Sequence, residues 1–126
     1  MNRDEFCQKI KRDFPAISAR ADKQYTRLWG DFTDTEYYSY SWFEALANAI
    51  NEEMRKETEP SQFADLLQII STAYEAEEEE IRQAIDVAFV ENLFWQVPET
   101  KSKSYWEALP ENLRELYEGF HHRTPL

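Results

Sequence analysis

The chain has 126 residues, 42% of them hydrophobic and 15% aromatic, and a formal charge of −11. That length predicts one domain with room for a core, and that apolar content excludes a wholly disordered protein. Two glycines, one cysteine and no apolar run near the ~20 residues of a membrane span disfavour a turn-rich β-fold, an internal disulfide and a spanning helix.

The first helix is predicted to run from an Asp4 cap to about Phe14. Phe6, Ile10 and Phe14 lie four apart on one face, with Cys7 beside them as a small buried hydrophobe. The segment is charged and has no apolar signal-peptide core, so the expectation is a cytoplasmic protein with no membrane association. Pro15 ends this helix or starts the next. Residues 18–28 fit a more polar second helix, capped by Ser18, with Ala21, Tyr25 and Leu28 as a weak apolar face. Gly30 supplies its stop.

Residues 31–41 read DFTDTEYYSYS. Asp31, Asp34 and Thr35 are turn or capping types, and Phe32, Tyr37, Tyr38 and Tyr40 crowd beside them. The prediction is an aromatic and acidic loop over one end of a bundle. Two uses fit it: a loop pinned to the core by its aromatics, or a contact surface, since Tyr is a typical interface anchor.

Ser41 and Glu44 form a candidate capping box for a third helix, with Phe43, Leu46, Ala47, Ile50 and Met54 inward. Glu52, Glu53, Arg55 and Lys56 are its expected solvated end. After a linker at 57–61, Ser61 caps a fourth helix whose stripe is Phe63, Leu66, Leu67, Ile70, Ala73 and Tyr74. Residues 75–80 then hold five glutamates. These suit a solvated helix start, where the dipole favours negative charge, far better than a cation site.

Residues 81–95, IRQAIDVAFVENLFW, are the least ambiguous stretch. Ile81, Ala84, Ile85, Ala88 and Phe89 recur at helical spacing, and Leu93 continues the face beyond Asn92. One central core helix is predicted, ended before Pro98. A polar linker, a short helical piece opened by Ser104, and a last helix started by Pro110 follow. Leu113, Leu116, Tyr117 and Phe120 face inward, and residues 121–126 form a frayed tail. His121 and His122 are adjacent, point in different directions and make a poor metal pair. The fold class is therefore all-α: a single compact bundle of about five to six helices.

The charge is unevenly spread. Residues 1–30 carry seven Lys/Arg against four Asp/Glu, residues 31–100 three against 17, and residues 101–126 four against four. The middle is thus net −14. It repels nucleic acid phosphates and steers basic partners, or else it simply keeps the chain soluble. No phosphate loop, metal-ligand spacing or Ser-His-Asp set is present, so no catalytic residue, cofactor or metal is expected. Glu91, beside Val90 and Leu93, is the one acid in an apolar context.

Two pieces resemble a known group. FPAI at 14–17 is followed by Tyr25 and by Trp29 and Gly30, and DVAFVENL at 86–93 is similar to an apolar–Phe–Leu–Glu–Asn–Leu helix signature, with Val90 where Leu is usual. Small acidic helical immunity proteins of bacterial polymorphic toxin systems carry such a pattern. The resemblance implies an antitoxin that binds and occludes a cognate toxin domain and performs no catalysis. The residues expected to meet that basic protein partner are Asp31, Phe32, Asp34, Tyr37, Tyr38 and Tyr40, with Glu75, Glu77, Glu78 and Glu79 steering its approach. A phage anti-defence protein mimicking DNA charge and a small enzyme using Glu91 are the alternatives. The oligomeric state is open.

Overall fold

A computed structural model of the chain describes residues 1–30 and 38–126. Helix α1 spans Arg3–Asp13 and is capped by Asn2, not Asp4. Asn2 Oδ1 accepts the Glu5 N–H at 2.8 Å, and the Glu5 carboxylate accepts the Asn2 N–H at 3.1 Å. A cap needs extended backbone, which Asn2 has (ψ 176°), whereas Asp4 is already helical. The Asp4 carboxylate instead accepts the Ser39 hydroxyl.

Helix α2 spans Pro15–Trp29. Pro15 starts it because the first turn needs no N–H there. Ser18 therefore lies inside the helix, buried, with its hydroxyl 3.4 Å from the Ile10 carbonyl rather than at a cap. Gly30 ends the helix as expected, at φ 70°, and its N–H reaches the Thr26 carbonyl.

Helix α3 spans Tyr38–Arg55. It begins three residues before Ser41, so Ser41 is not a cap, and residues 38–41 of the predicted loop are helical. Residues 31–37 lie outside the described residues. Trp42, Phe43, Leu46 and Ile50 form the buried stripe. The far end of α3 is not simply solvated. Glu53 is 7% exposed, faces Arg20 Nε at 3.0 Å and accepts the Thr58 hydroxyl at 2.9 Å. Burial of this carboxylate is tolerated because both partners compensate its lost hydration.

A 3₁₀ turn, Pro60–Phe63, leads into α4, Ala64–Ala76. Its expected stripe is buried through Leu66, Leu67, Ile70 and Ala73. The chain breaks helix only at Glu77 and Glu78, both extended, before α5, Glu79–Gln83.

The central segment is not one helix. After α5 the backbone widens into a π-helix, Ala84–Phe89, then tightens to a 3₁₀ turn, Val90–Asn92. On one regular α-helix Val90 would stand about 100° from Phe89, away from a shared face. The change of pitch lets Ile81, Ala84, Ile85, Ala88, Phe89 and Val90 all be buried, each at 3% exposure or less. Asn92 ends the segment, donating to the Ala88 carbonyl at 2.8 Å. Leu93 is extended, and Phe94 and Gln96 take left-handed backbone at φ 67° and 54°.

Asn51 of α3, fully buried, holds that turn. Its Nδ2 donates to the Asn92 carbonyl and its Oδ1 accepts the Phe94 N–H, each at 2.7 Å. Phe94 packs edge-on to Trp106 and Tyr117. Trp95 projects outward, 60% exposed.

Helix α6, Glu99–Ala108, absorbs the predicted polar linker, and α7 spans Glu111–His121. Pro98 and Pro110 each occupy the cap position, and a glutamate opens each first turn. His121, placed in the tail by the sequence reading, is the last residue of α7. It stacks on Tyr117 at 4.1 Å, with Nε2 3.1 Å from the Glu91 carbonyl. The described residues thus hold seven α-helices and no strand, rather than five to six helices, around a compact core. The extra ones come from short segments between prolines and glutamates that lack a long apolar stripe. Among the described residues no helix is long and apolar enough to cross a membrane.

Candidate functional site

The N-terminal half of α3 and the central segment bring four ionisable side chains within electrostatic reach of one another. Tyr40 and Glu44 lie four apart on α3, and Asp86 and Glu91 come from the π and 3₁₀ turns. All four are half-buried. Burial raises the Glu44 and Asp86 carboxyls above their ordinary range, and burial followed by the Asp86 charge raises Glu91. The Tyr40 hydroxyl is pushed up by burial, then by Glu91 and Glu44, with Arg3 opposing and Asp86 adding least. Arg3 lies over the Tyr40 ring at 5.7 Å and faces Glu80 at 3.7 Å. Among the described residues, Glu44, Asp86 and Glu91 have no ion-pair partner.

Asp86 also reaches an open cleft of about 520 Å³ lined by Tyr74, Glu79, Arg82, Gln83 and Val87. The Arg82 guanidinium sits 5.0 Å from the centre of the Tyr74 ring. Arg82 and Asp86 have the i, i+4 spacing that pairs charges on a regular α-helix. No ion pair forms between them among the described residues, and Asp86 lies in the π turn that begins at Ala84.

Of the partner-facing residues expected from sequence, Asp31, Phe32, Asp34 and Tyr37 lie outside the described residues. Tyr38 opens α3 half-buried, edge-on to Tyr25 at 4.9 Å. Its hydroxyl accepts a hydrogen bond from Lys11, whose ammonium also sits over the Tyr38 and Trp42 rings. Lys11 lies 3.3 Å from Asp22, which in turn accepts the Trp42 indole N–H at 2.9 Å. Tyr38 therefore spends its polar end on an internal contact, while Tyr40 belongs to the acidic face.

The glutamates divide. Glu75 accepts a bond from Asn112 of α7 at 3.0 Å. Half-buried Glu77 and exposed Glu78 form the break between α4 and α5, and exposed Glu79 lines the cleft. As sequence, Glu44 reads as half of a capping box and Tyr74 as part of the α4 stripe, while Asp86 and Arg82 carry no site signal. Glu91 was recognised through its apolar neighbours.

The described residues form an all-helical fold with an anionic, tyrosine-bearing surface, and no group of three or more His, Cys, Asp or Glu among them could hold a metal ion. The chain belongs to the family described as "Domain of unknown function (DUF7674)", whose model matches residues 7–123. No curated protein and no solved structure matches it.

Proposed function

We propose that this chain is a non-enzymatic inhibitory protein of the cytoplasm that binds and occludes a basic protein domain, in the manner of an immunity protein against a toxin. One observation carries the reading: Glu44, Asp86 and Glu91, all half-buried, bear electrostatically on Tyr40, with no cation paired to them among the described residues. Half-desolvated carboxylates without a partner burden the isolated fold, and a cationic protein surface relieves that burden on binding. The acidic α4–α5 junction extends the same field and speeds encounter.

The test is purification of the tagged chain from its native host, mass spectrometry, and reconstitution with the captured basic domain. The expected result is a stable complex whose association slows as salt rises and whose affinity drops in Glu44→Gln and Glu91→Gln variants. Unchanged affinity in both variants would refute the assignment of this face.

A catalytic use of Glu91 has one observation in its favour, the upward shift it shares with Asp86 beside Tyr40. It would require a pocket that orients a small substrate there. Loss of a measurable turnover in Glu91→Gln, with partner binding intact, would select it.

A further inference from the structure

The cleft beside the π segment is lined by a cation of its own chain. Arg82 lays its guanidinium on the Tyr74 ring, although Glu79 and Asp86 line the same space. It makes no ion pair with either among the described residues. The cleft is lined by an aromatic ring, two carboxylates and the apolar Val87, and has about 520 Å³ of room. A flat aromatic face and carboxylates at the rim are the partners a planar, delocalised cation uses. The compact, strongly hydrated ammonium of lysine gains less from the stacked wall.

We propose that this cleft receives an arginine side chain of the basic partner, and that Arg82 is a displaceable internal occupant of the same aromatic wall. The inference rests on the reading of the chain as a binder of a basic protein, and it names the side chain that partner would insert. The incoming guanidinium takes the Tyr74 face and pairs with Asp86 and Glu79, while Arg82, which is exposed, swings to solvent. The competition gives the prediction an unusual sign. Removing Arg82 takes a positive charge off the surface and also clears the wall, so a cationic ligand binds more tightly without it.

The experiment titrates the isotope-labelled full chain with N-acetyl-arginine amide, its neutral isostere N-acetyl-citrulline amide, and N-acetyl-lysine amide, followed by amide NMR shifts. The expected result is saturable binding on the order of millimolar for the arginine probe alone, as suits so small a ligand. The shifts centre on residues 79–87. Asp86→Asn abolishes them, and Glu79→Gln, at an exposed position, weakens them without touching the fold. Arg82→Ala tightens binding about two- to fivefold, the size of one exposed cation–π contact. Equal shifts from the citrulline or lysine probe, shifts spread over the whole acidic surface, or weaker binding in Arg82→Ala would each overturn the proposal. The probes contain no partner protein. A chain that still forms its salt-sensitive complex through Glu44 and Glu91 while ignoring the arginine probe refutes the cleft alone.

Discussion

Replacing Asn51 is expected to release the 93–96 turn and to cost more than any single surface change. Its amide makes two 2.7 Å bonds to backbone groups of that turn, one in each direction. Asn51→Ala leaves the Asn92 carbonyl and the buried Phe94 N–H without partners. Each such orphan costs ~1–3 kcal/mol, so the sum is about 3 kcal/mol. The turn also holds two non-glycine residues at positive φ, a strain that persists only while its surroundings over-determine it. A loss of that size lowers the melting temperature by roughly 10 °C in a domain of this length. Asn51→Asp distinguishes the two bonds. It keeps an acceptor for Phe94 N–H but sets a carboxylate against the Asn92 carbonyl. The folded-state pKa of that new carboxyl is raised above its unfolded value, so the folded state takes up the proton more readily and stability recovers as pH falls. Urea titrations at neutral and acid pH, with the slope held constant, give both numbers. An Asn51→Ala melt within about 2 °C of the parent, less than 1 kcal/mol by the same scaling, would refute the account of the turn.

Phe89→Ala should destabilise by ~3–5 kcal/mol in the same titrations, since the ring is fully buried in the core. Asp86→Asn should raise the melting temperature at neutral pH, because burial raises the Asp86, Glu44 and Glu91 carboxyls and their ionisation opposes folding. For the same reason the parent should gain stability from these three groups as pH falls from neutral towards their raised pKa values. Glu52 works the other way. Burial raises its pKa, but the Gln24 hydrogen bond and Lys56 outweigh that and lower it, so its contribution is lost on further acidification and melts across pH should pass through a mildly acid maximum. Changing Glu77, Glu78 and Glu79 together to Gln should slow association with a basic partner and flatten its salt dependence, leaving dissociation nearly unchanged by stopped-flow and surface kinetics.

The long apolar stripes were legible because each buries one face against one neighbour. Leu66, Leu67 and Ile70 of α4 and Phe43, Leu46 and Ile50 of α3 fall where a 3.6-residue period puts them. The class, all-helical, follows from those alone. Helix starts were misread wherever two residues competed for the same cap. Asn2 caps α1 through its local box with Glu5, Pro15 opens α2, and α3 already contains Ser41, where Asp4, Ser18 and Ser41 also had capping side chains to offer. The pairing of buried Glu53 with exposed Arg20 is invisible in the sequence because the partners are far apart along it. The central segment failed for a deeper reason. Ala84, Ile85, Ala88 and Phe89 fit an α period well enough to hide the change of pitch, which only the buried Val90 betrays. That change is what exposes Asp86 to both the Tyr40 face and the Arg82 cleft.

The π turn has a consequence for how this chain tolerates changes of length. Between Ala84 and Phe89 each turn takes in about one residue more than an α turn, and the 3₁₀ turn at Val90–Asn92 then takes in fewer. A single deletion near Val87 would let the backbone relax to an ordinary helix, keep most of the apolar stripe inward, and bring Arg82 and Asp86 into the pairing distance their spacing favours. Such a shortened chain would still fold, yet its cleft would be sealed by its own ion pair. Length at this point is therefore a setting for the surface, one that substitutions of individual side chains leave untouched.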